Sequence, residues 1–138
     1  MRVLGLDVGE RRIGVALSDP LGFTAQRLAL IERRDLARDL QAIADLARAH
    51  ETGAIVVGLP LMMSGETGEQ AKKVGAFVEA LRGAVPCPVH VLDERLTTAQ
   101  GERALLETDT SRKRRKELID QLAAQLILQA YLDGQPRA

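Results

Sequence analysis

Acidic residues stand at places in this chain where an acidic residue is costly. Asp7 closes the apolar run Val3-Leu4-Gly5-Leu6, and Asp93 and Glu94 close the run Val89-His90-Val91-Leu92. Asp120 lies one helical turn before Ala123 and Ala124 and two turns before Ile127, on a face that is apolar and small enough for close approach to a sheet. An ionised carboxylate among aliphatic side chains forfeits its hydration and is kept only where something pairs with it. Inward carboxylates from distant parts of a chain repel one another unless a cation joins them. Mg²⁺ or Mn²⁺ suits such a set, because hard divalent ions prefer oxygen ligands and keep waters for exchange. Two such ions would activate a water and stabilise the leaving oxygen in phosphodiester cleavage. The same residues also have purely structural readings: Asp7 as a strand-end cap, Asp93 as the ion-pair partner of Arg95, Asp120 as a helix amino-terminal residue. Asp93 and Glu94 would point to opposite faces of a strand, so only one of them should reach the metals, and the pattern does not choose between them.

Cations accompany these acids. Arg12 and Arg95 lie near them in sequence, and a guanidinium matches phosphate bidentately, although pairing with the acids themselves would explain both equally well. Arg112-Lys113-Arg114-Arg115-Lys116 is an unbroken cationic run, the form of either a solvated segment or a phosphate-contacting arm. Thr97 and Thr98 read as caps of the helix that follows, with substrate contact the alternative, His90 as a core or edge residue, and the lone Cys87 between Pro86 and Pro88 as a small buried filler. Gln121, Gln125 and Gln129 recur every four residues and mark a solvated stripe on the last helix.

The elements that must carry these groups follow from period. Residues 2–7 and 12–18 are almost wholly apolar, as strands covered on both faces are, with Gly9 in the turn between them. Residues 24–31 add a third strand, and short links make the three an antiparallel meander. Asp35 caps a helix through Leu36, Leu40, Ile43 and Ala47 that Gly53 should end. Residues 54–60 form a buried strand stopped by Pro60, and the loop 61–68 holds Met62 and Met63. A helix carrying Ala71, Val74, Val78 and Leu81 then ends near Gly83, and 89–94 is the fifth strand. A short helix over 98–107, a mobile basic loop over 108–116 and a last helix from Glu117 to Leu132 complete the order β-β-β-α-β-α-β-α-α. The expectation is an α/β protein, one domain over 1–138, with a mixed five-stranded sheet flanked by helices. Functional groups of such sheets gather beyond the carboxyl ends of the parallel strands, where Asp7 and Asp93-Glu94 would meet.

Composition narrows the classes. At 138 residues the chain is large enough for one core without disulfides or structural metal. Aromatics are only 2% of residues, which argues against a base-stacking platform for single strands. Formal net charge is zero, so any polyanion contact depends on local clustering, as in the basic run. No signal sequence and no long apolar span is evident, which predicts a cytoplasmic protein with no membrane partner. No apolar surface stripe picks out a contact between copies, so monomer and homodimer both stay open.

Four blocks occurring in order carry a resemblance. Leu4-Gly5-Leu6-Asp7-Val8-Gly9 with Arg12-Ile13-Gly14-Val15-Ala16, Val57-Gly58-Leu59-Pro60, Asp93-Glu94-Arg95-Leu96-Thr97-Thr98 and Asp120 through Gln129 closely resemble the YqgF (RuvX) family of bacterial proteins. Its members are described as candidate Holliday junction resolvases and as nucleases that mature the 5′ end of pre-16S ribosomal RNA. The resemblance spans residues 2 to about 132. It implies a ribonuclease H-like fold, three antiparallel strands followed by two parallel ones, and a nuclease dependent on Mg²⁺ or Mn²⁺ with an Asp–Glu–Asp set. By motif position that set falls on Asp7, Glu94 and Asp120, with Asp93 in reserve. The implied partners are precursor ribosomal RNA, ribosomal particles or branched DNA, with Arg12, Arg95 and Arg112 to Lys116 as phosphate contacts. The loop after Pro60 departs from the family in carrying Leu61-Met62-Met63-Ser64-Gly65 in place of Asn and Asp. Two other readings stand beside the nuclease: a non-catalytic nucleic-acid-binding module on the same fold, and an actin-like nucleotide-binding domain, which would need a second such domain that this chain lacks.

Overall fold

A computed structural model describes residues 1–62, 64–97 and 112–136, the side chains of 112–121 excepted. The apolar runs become strands β1 (Arg2–Val8), β2 (Arg12–Ser18), β3 (Ala25–Glu32), β4 (Thr52–Leu59) and β5 (Val89–Asp93). The segments of helical period become α1 (Leu36–Ala49), α2 (Glu69–Arg82) and α3 (Arg112–Asp133), and a single 3-10 turn, Glu94–Leu96, follows β5. The strands form one sheet in the order β3-β2-β1-β4-β5. The meander β1–β2–β3 is antiparallel, whereas β4 runs parallel to both β1 and β5. Parallel neighbours need a long crossover, and α1 and α2 supply the two that are required.

Side-chain alternation sorts the sheet into two faces. Leu4, Leu6 and Val8 of β1, with Ile13, Val15, Ile55 and Val57, bury against Ile43 and Ala47 of α1 and Val74, Phe77, Val78 and Leu81 of α2. Val3, Ala16, Ala25, Ala54 and Val56 face the other way, under Ala124, Ile127, Leu128 and Leu132 of α3. Small residues on this second face let α3 lie close to the sheet. A Cβ on Gly5 would stand 2.6 Å from Leu128 Cβ and 3.1 Å from the Ala124 carbonyl oxygen.

Several boundaries differ from the sequence expectation. Asp35 does cap α1, its side chain accepting from the Arg38 amide at 2.8 Å. The helix nevertheless ends at Ala49, and the chain turns through Glu51 at φ 51°, an exposed residue outside the sheet. Gly53 therefore lies within β4, where a side chain would overlap the Met1 thioether, so close packing rather than helix termination accounts for it. The last helix begins at Arg112, not Glu117, so Arg112 to Lys116 are helical and not a loop. Arginine and lysine are good helix formers, which favours a helix over a loop there. The helix expected over 98–107 and residues 108–111 lie outside the described residues.

Two glutamines of the α3 stripe, Gln125 and Gln129, are half-buried and bonded to the sheet rather than fully solvated, while the Gln121 side chain lies outside the described residues. Gln125 Nε2 donates to the Ala25 carbonyl at 3.0 Å, and Gln129 Oε1 accepts from the Ala25 amide at 3.0 Å. Gln129 Nε2 donates further to the Phe23 carbonyl at 3.0 Å. A sheet edge exposes unpaired backbone groups, and these two amides satisfy those at the start of β3. Among the described residues no helix is long and apolar enough to cross a membrane.

Candidate active site

β1 carries Asp7 on the face covered by α3, because Val3 and Gly5, four and two residues earlier, share that face. Asp7 is 3% exposed and pairs in register with Gly14 of β2. On the other side of β1, Leu6 is opposite Val57 of β4, so the next residue of β4, Gly58, neighbours Asp7. Above Gly58 lies Glu94, which is 1% exposed: a Cβ on Gly58 would stand 3.0 Å from Glu94 Cγ. The glycine leaves the space that the glutamate fills. Two carboxylates separated by roughly one to two strand spacings of about 4.8 Å thus share one buried face at the carboxyl ends of parallel strands.

Glu94 reaches this face because β5 ends at Asp93 and the chain tightens into the 3-10 turn. Asp93 is placed apart from it. Its carboxylate takes the Arg95 guanidinium as a fork, from Nε at 3.1 and 3.0 Å and from Nη2 at 2.6 Å, and also accepts the Arg95 amide at 2.9 Å. The guanidinium holds the Asp93 carboxyl below the ordinary carboxylate range, and the carboxylate raises Arg95 in turn. Arg95 stays one-third exposed at the rim, its Nη1 against Gly65 of the loop that follows Pro60. In that loop the Met62 amide donates to the Glu66 carbonyl and the Gly65 amide to the Met62 carbonyl, and Met62 is exposed. Met63 lies outside the described residues.

Arg12 belongs to the same face as Asp7. Ile13 and Val15 point to the α1/α2 side, so Arg12, Gly14 and Ala16 point to the α3 side. Gly14 is opposite Asp7, which makes Arg12 its diagonal neighbour. The side chain is nine-tenths buried, with Nε 3.7 Å from Glu32 Oε1. A buried cation beside buried anions offsets part of their desolvation cost. Thr97 Oγ1 donates to the Glu94 carbonyl at 2.9 Å and closes the turn that carries the glutamate; the following helix it was expected to cap, and Thr98, lie outside the described residues. His90 is at the exposed edge of β5, stacked on Tyr131 at 5.7 Å, and Cys87 packs half-buried against the core, which raises its thiol.

Asp120 is in α3, one turn ahead of Ala123 and Ala124, both buried against the sheet. Arg112 to Lys116 form the first turns of the same helix. Among the described residues no three His, Cys, Asp or Glu side chains form a metal-holding group. The donors that are described, Asp7 and Glu94, are hard oxygen ligands from separate strands, a set that fits Mg²⁺ or Mn²⁺ and not a thiophilic ion.

Sequence reasoning missed Asp39 and Arg33. Asp39, 2% exposed, accepts from Arg33 Nε at 3.1 Å and from the Arg34 amide at 3.0 Å. The available signal was spacing: Asp39, Ile43 and Ala47 recur every four residues along the buried stripe of α1. That is the same pattern which singled out Asp120.

The profile of the RuvX family, described as Holliday junction resolvase, matches residues 1–134. A protein of Moorella thermoacetica named "Putative pre-16S rRNA nuclease" is 56% identical over 133 residues, 96% of this chain and 95% of that protein. A protein of the same name from Syntrophomonas wolfei is 52% identical over 134 residues, 97% of this chain and 95% of its own length. Among solved structures, Thermus thermophilus RuvC in complex with Holliday junction substrate superposes with a TM-score of 0.61 at 19% identity, covering 96% of this chain and 95% of that one. The fowlpox virus Holliday junction resolvase gives 0.53 at 13% identity, covering 98% and 100%. At such identities the likeness is one of fold, the ribonuclease H-like sheet of three antiparallel and two parallel strands.

Proposed function

The chain belongs to the RuvX family, and on that premise we propose that it is a divalent-metal-dependent endonuclease that matures the 5′ end of precursor 16S ribosomal RNA. Membership makes it a hydrolase of nucleic acid; the metal, the ligand set and the RNA substrate are the content of the proposal. The observation that carries it is the convergence of Asp7 and Glu94, buried on one face by register over Gly58. Two buried carboxylates at one place suit metal-assisted phosphodiester hydrolysis.

Asp7, Glu94 and Asp120 would hold one or two Mg²⁺ or Mn²⁺ ions, which when bound supply Lewis-acid activation of water and neutralise charge on the scissile phosphate. Asp7 and Glu94 meet this role from a rigid strand end and a closed turn, so little reorganisation is needed on loading. The helical position of Asp120, ahead of Ala123 and Ala124, supports it as the third ligand, while Asp93 is occupied by Arg95. Arg12 is a fixed positive charge on the same face, suited to a phosphate next to the scissile one. Arg95 at the rim is suited to the strand beyond. The partner is precursor RNA, free or within a ribosomal particle, which places the work in the cytoplasm.

The deciding experiment incubates purified protein with Mg²⁺ or Mn²⁺ and, side by side, a pre-16S fragment and a four-way DNA junction. Cleavage of the RNA that disappears with a chelator is expected. Cleavage of the junction alone would establish the resolvase reading, which the family description favours. Cutting of neither would make the fold a binding module.

The helical basic run gives a separate prediction. Replacing Arg112, Lys113, Arg114, Arg115 and Lys116 with Ala should weaken RNA binding and flatten the dependence of log affinity on log salt. Every phosphate that the variant no longer neutralises lowers that slope by about 0.7–0.9. A filter-binding titration across salt concentrations reads it, and an unchanged slope removes the run from the interface.

A further inference from the structure

One guanidinium outside the carboxylate site joins four elements. Arg33, just past the end of β3, donates from Nε to Asp39 of α1 at 3.1 Å and from Nη1 to the Gly9 carbonyl at 2.9 Å. Its Cζ lies over the Phe77 ring of α2, 5.2 Å from the centroid. Its own amide donates to the Arg11 carbonyl at 2.8 Å. Asp39 is spent on this arrangement, its other oxygen taking the Arg34 amide at 3.0 Å.

Gly9 and Arg11 form the turn between β1 and β2, closed by the Gly9 amide donating to the Arg12 carbonyl at 2.9 Å. The turn is short and carries a site residue at each shoulder: Asp7 two residues before Gly9, Arg12 one residue after Arg11. Both side chains point to the α3 face, whereas Arg33 grips the turn from the α1/α2 face. A hairpin turn at a strand end would otherwise fray, since its amides lie beyond the ladder. A buried ion pair adds little net stability over an apolar pair of the same volume, so stability alone is a weak reason for this one.

We propose that Arg33, held by Asp39, is a positioning residue: it clamps the β1–β2 turn from behind and so fixes Asp7 and Arg12 relative to each other. The clamp is a statement about the turn, and its kinetic consequence rests on the nuclease reading above. A guanidinium suits the task because its planar fork can serve Asp39 and Gly9 at once while lying over Phe77. A lysine has one ammonium for both.

Two variants test it. Arg33→Lys keeps the charge opposite Asp39 and gives up the bond to Gly9. Arg33→Met/Asp39→Leu replaces the ion pair with apolar side chains, leaving no buried charge unpaired, and guards against unfolding caused by an orphaned Asp39. Amide hydrogen exchange over residues 8–12 should quicken about tenfold in both variants, while α1 and the centre of β1 keep their protection. With the wild-type protein cutting RNA, kcat should fall about ten- to a hundredfold with KM little changed, the signature of misplaced catalytic geometry. Mn²⁺ affinity, titrated without substrate, should weaken in parallel. Exchange over 8–12 at the wild-type rate in both variants overturns the clamp, as does loss of protection spread evenly over the sheet. A wild-type protein that cuts nothing refutes the nuclease reading instead, and the exchange rates still decide the clamp.

Discussion

Asp7→Asn should lower single-turnover cleavage by about 10²–10³-fold or more, the scale for removing one preorganised charge from a water-poor site. The same change should leave the thermal midpoint unchanged or raise it. Asparagine matches aspartate in shape, so the ladder pairing with Gly14 and the packing under α3 survive. What vanishes is a negative charge that is 3% exposed and costly to hold there. Glu94→Gln should behave alike. The two readouts separate the hypotheses: a structural cap or ion-pair partner would show its loss in the melt, a metal ligand in the rate. A variant still cutting within about threefold of the parent would remove Asp7 from the chemistry.

Gly58→Ala is the second large expected effect, and it acts on stability and rate by separable routes. The new Cβ would overlap Ile127 Cδ1 and stand 3.0 Å from both Ile127 Cγ1 and Glu94 Cγ. Overpacking of this kind costs about 1–3 kcal/mol. The glutamate, at the start of a tight turn, would also be pushed from its place on the Asp7 face. Adding Ile127→Val removes Cδ1 and should recover much of the melting temperature. It should not recover the rate, because the clash with Glu94 remains. Parallel recovery of both would mean that α3, and not the glutamate, governs activity.

The strands were legible because β1, β2 and β4 are covered on both faces and their apolar runs admit little else. Asp7 was legible for the same reason, as one charge inside such a run. Which of Asp93 and Glu94 is buried was not, since it depends on where β5 yields to the 3-10 turn, and that goes with the Thr97 bond and the fork between Asp93 and Arg95. The resemblance singled out Glu94, and the structure buries Glu94 while tying Asp93 to the rim. Gly53 misled because a glycine after a helix reads as its terminator, whereas this one makes room for Met1 across the sheet. The glutamines misled because polar spacing says which residues share a helix face but not whether that face meets water or an unpaired strand edge. Arg33 was invisible as a clamp, since its partners Gly9, Asp39 and Phe77 are far apart in sequence and only the crossovers bring them together.

The bonds from Gln125 and Gln129 to Ala25 join residues about a hundred positions apart. They fix the rotational phase of α3 as well as its place. A helix turns about 100° per residue, so a one-residue slip would break both amide bonds and turn Ala124, Ile127 and Leu128 away from the sheet. The consequence concerns the order of assembly. Pairings this distant form late, after the loop entropy of the whole chain has been overcome. During synthesis the sheet can form with Asp7 and Glu94 in place while α3 is still unmade, and Gly5 and Gly58 then lie uncovered. The α3 face of the sheet is thus the last part of the fold to be covered, and the bonds from Gln125 and Gln129 to Ala25 form only then.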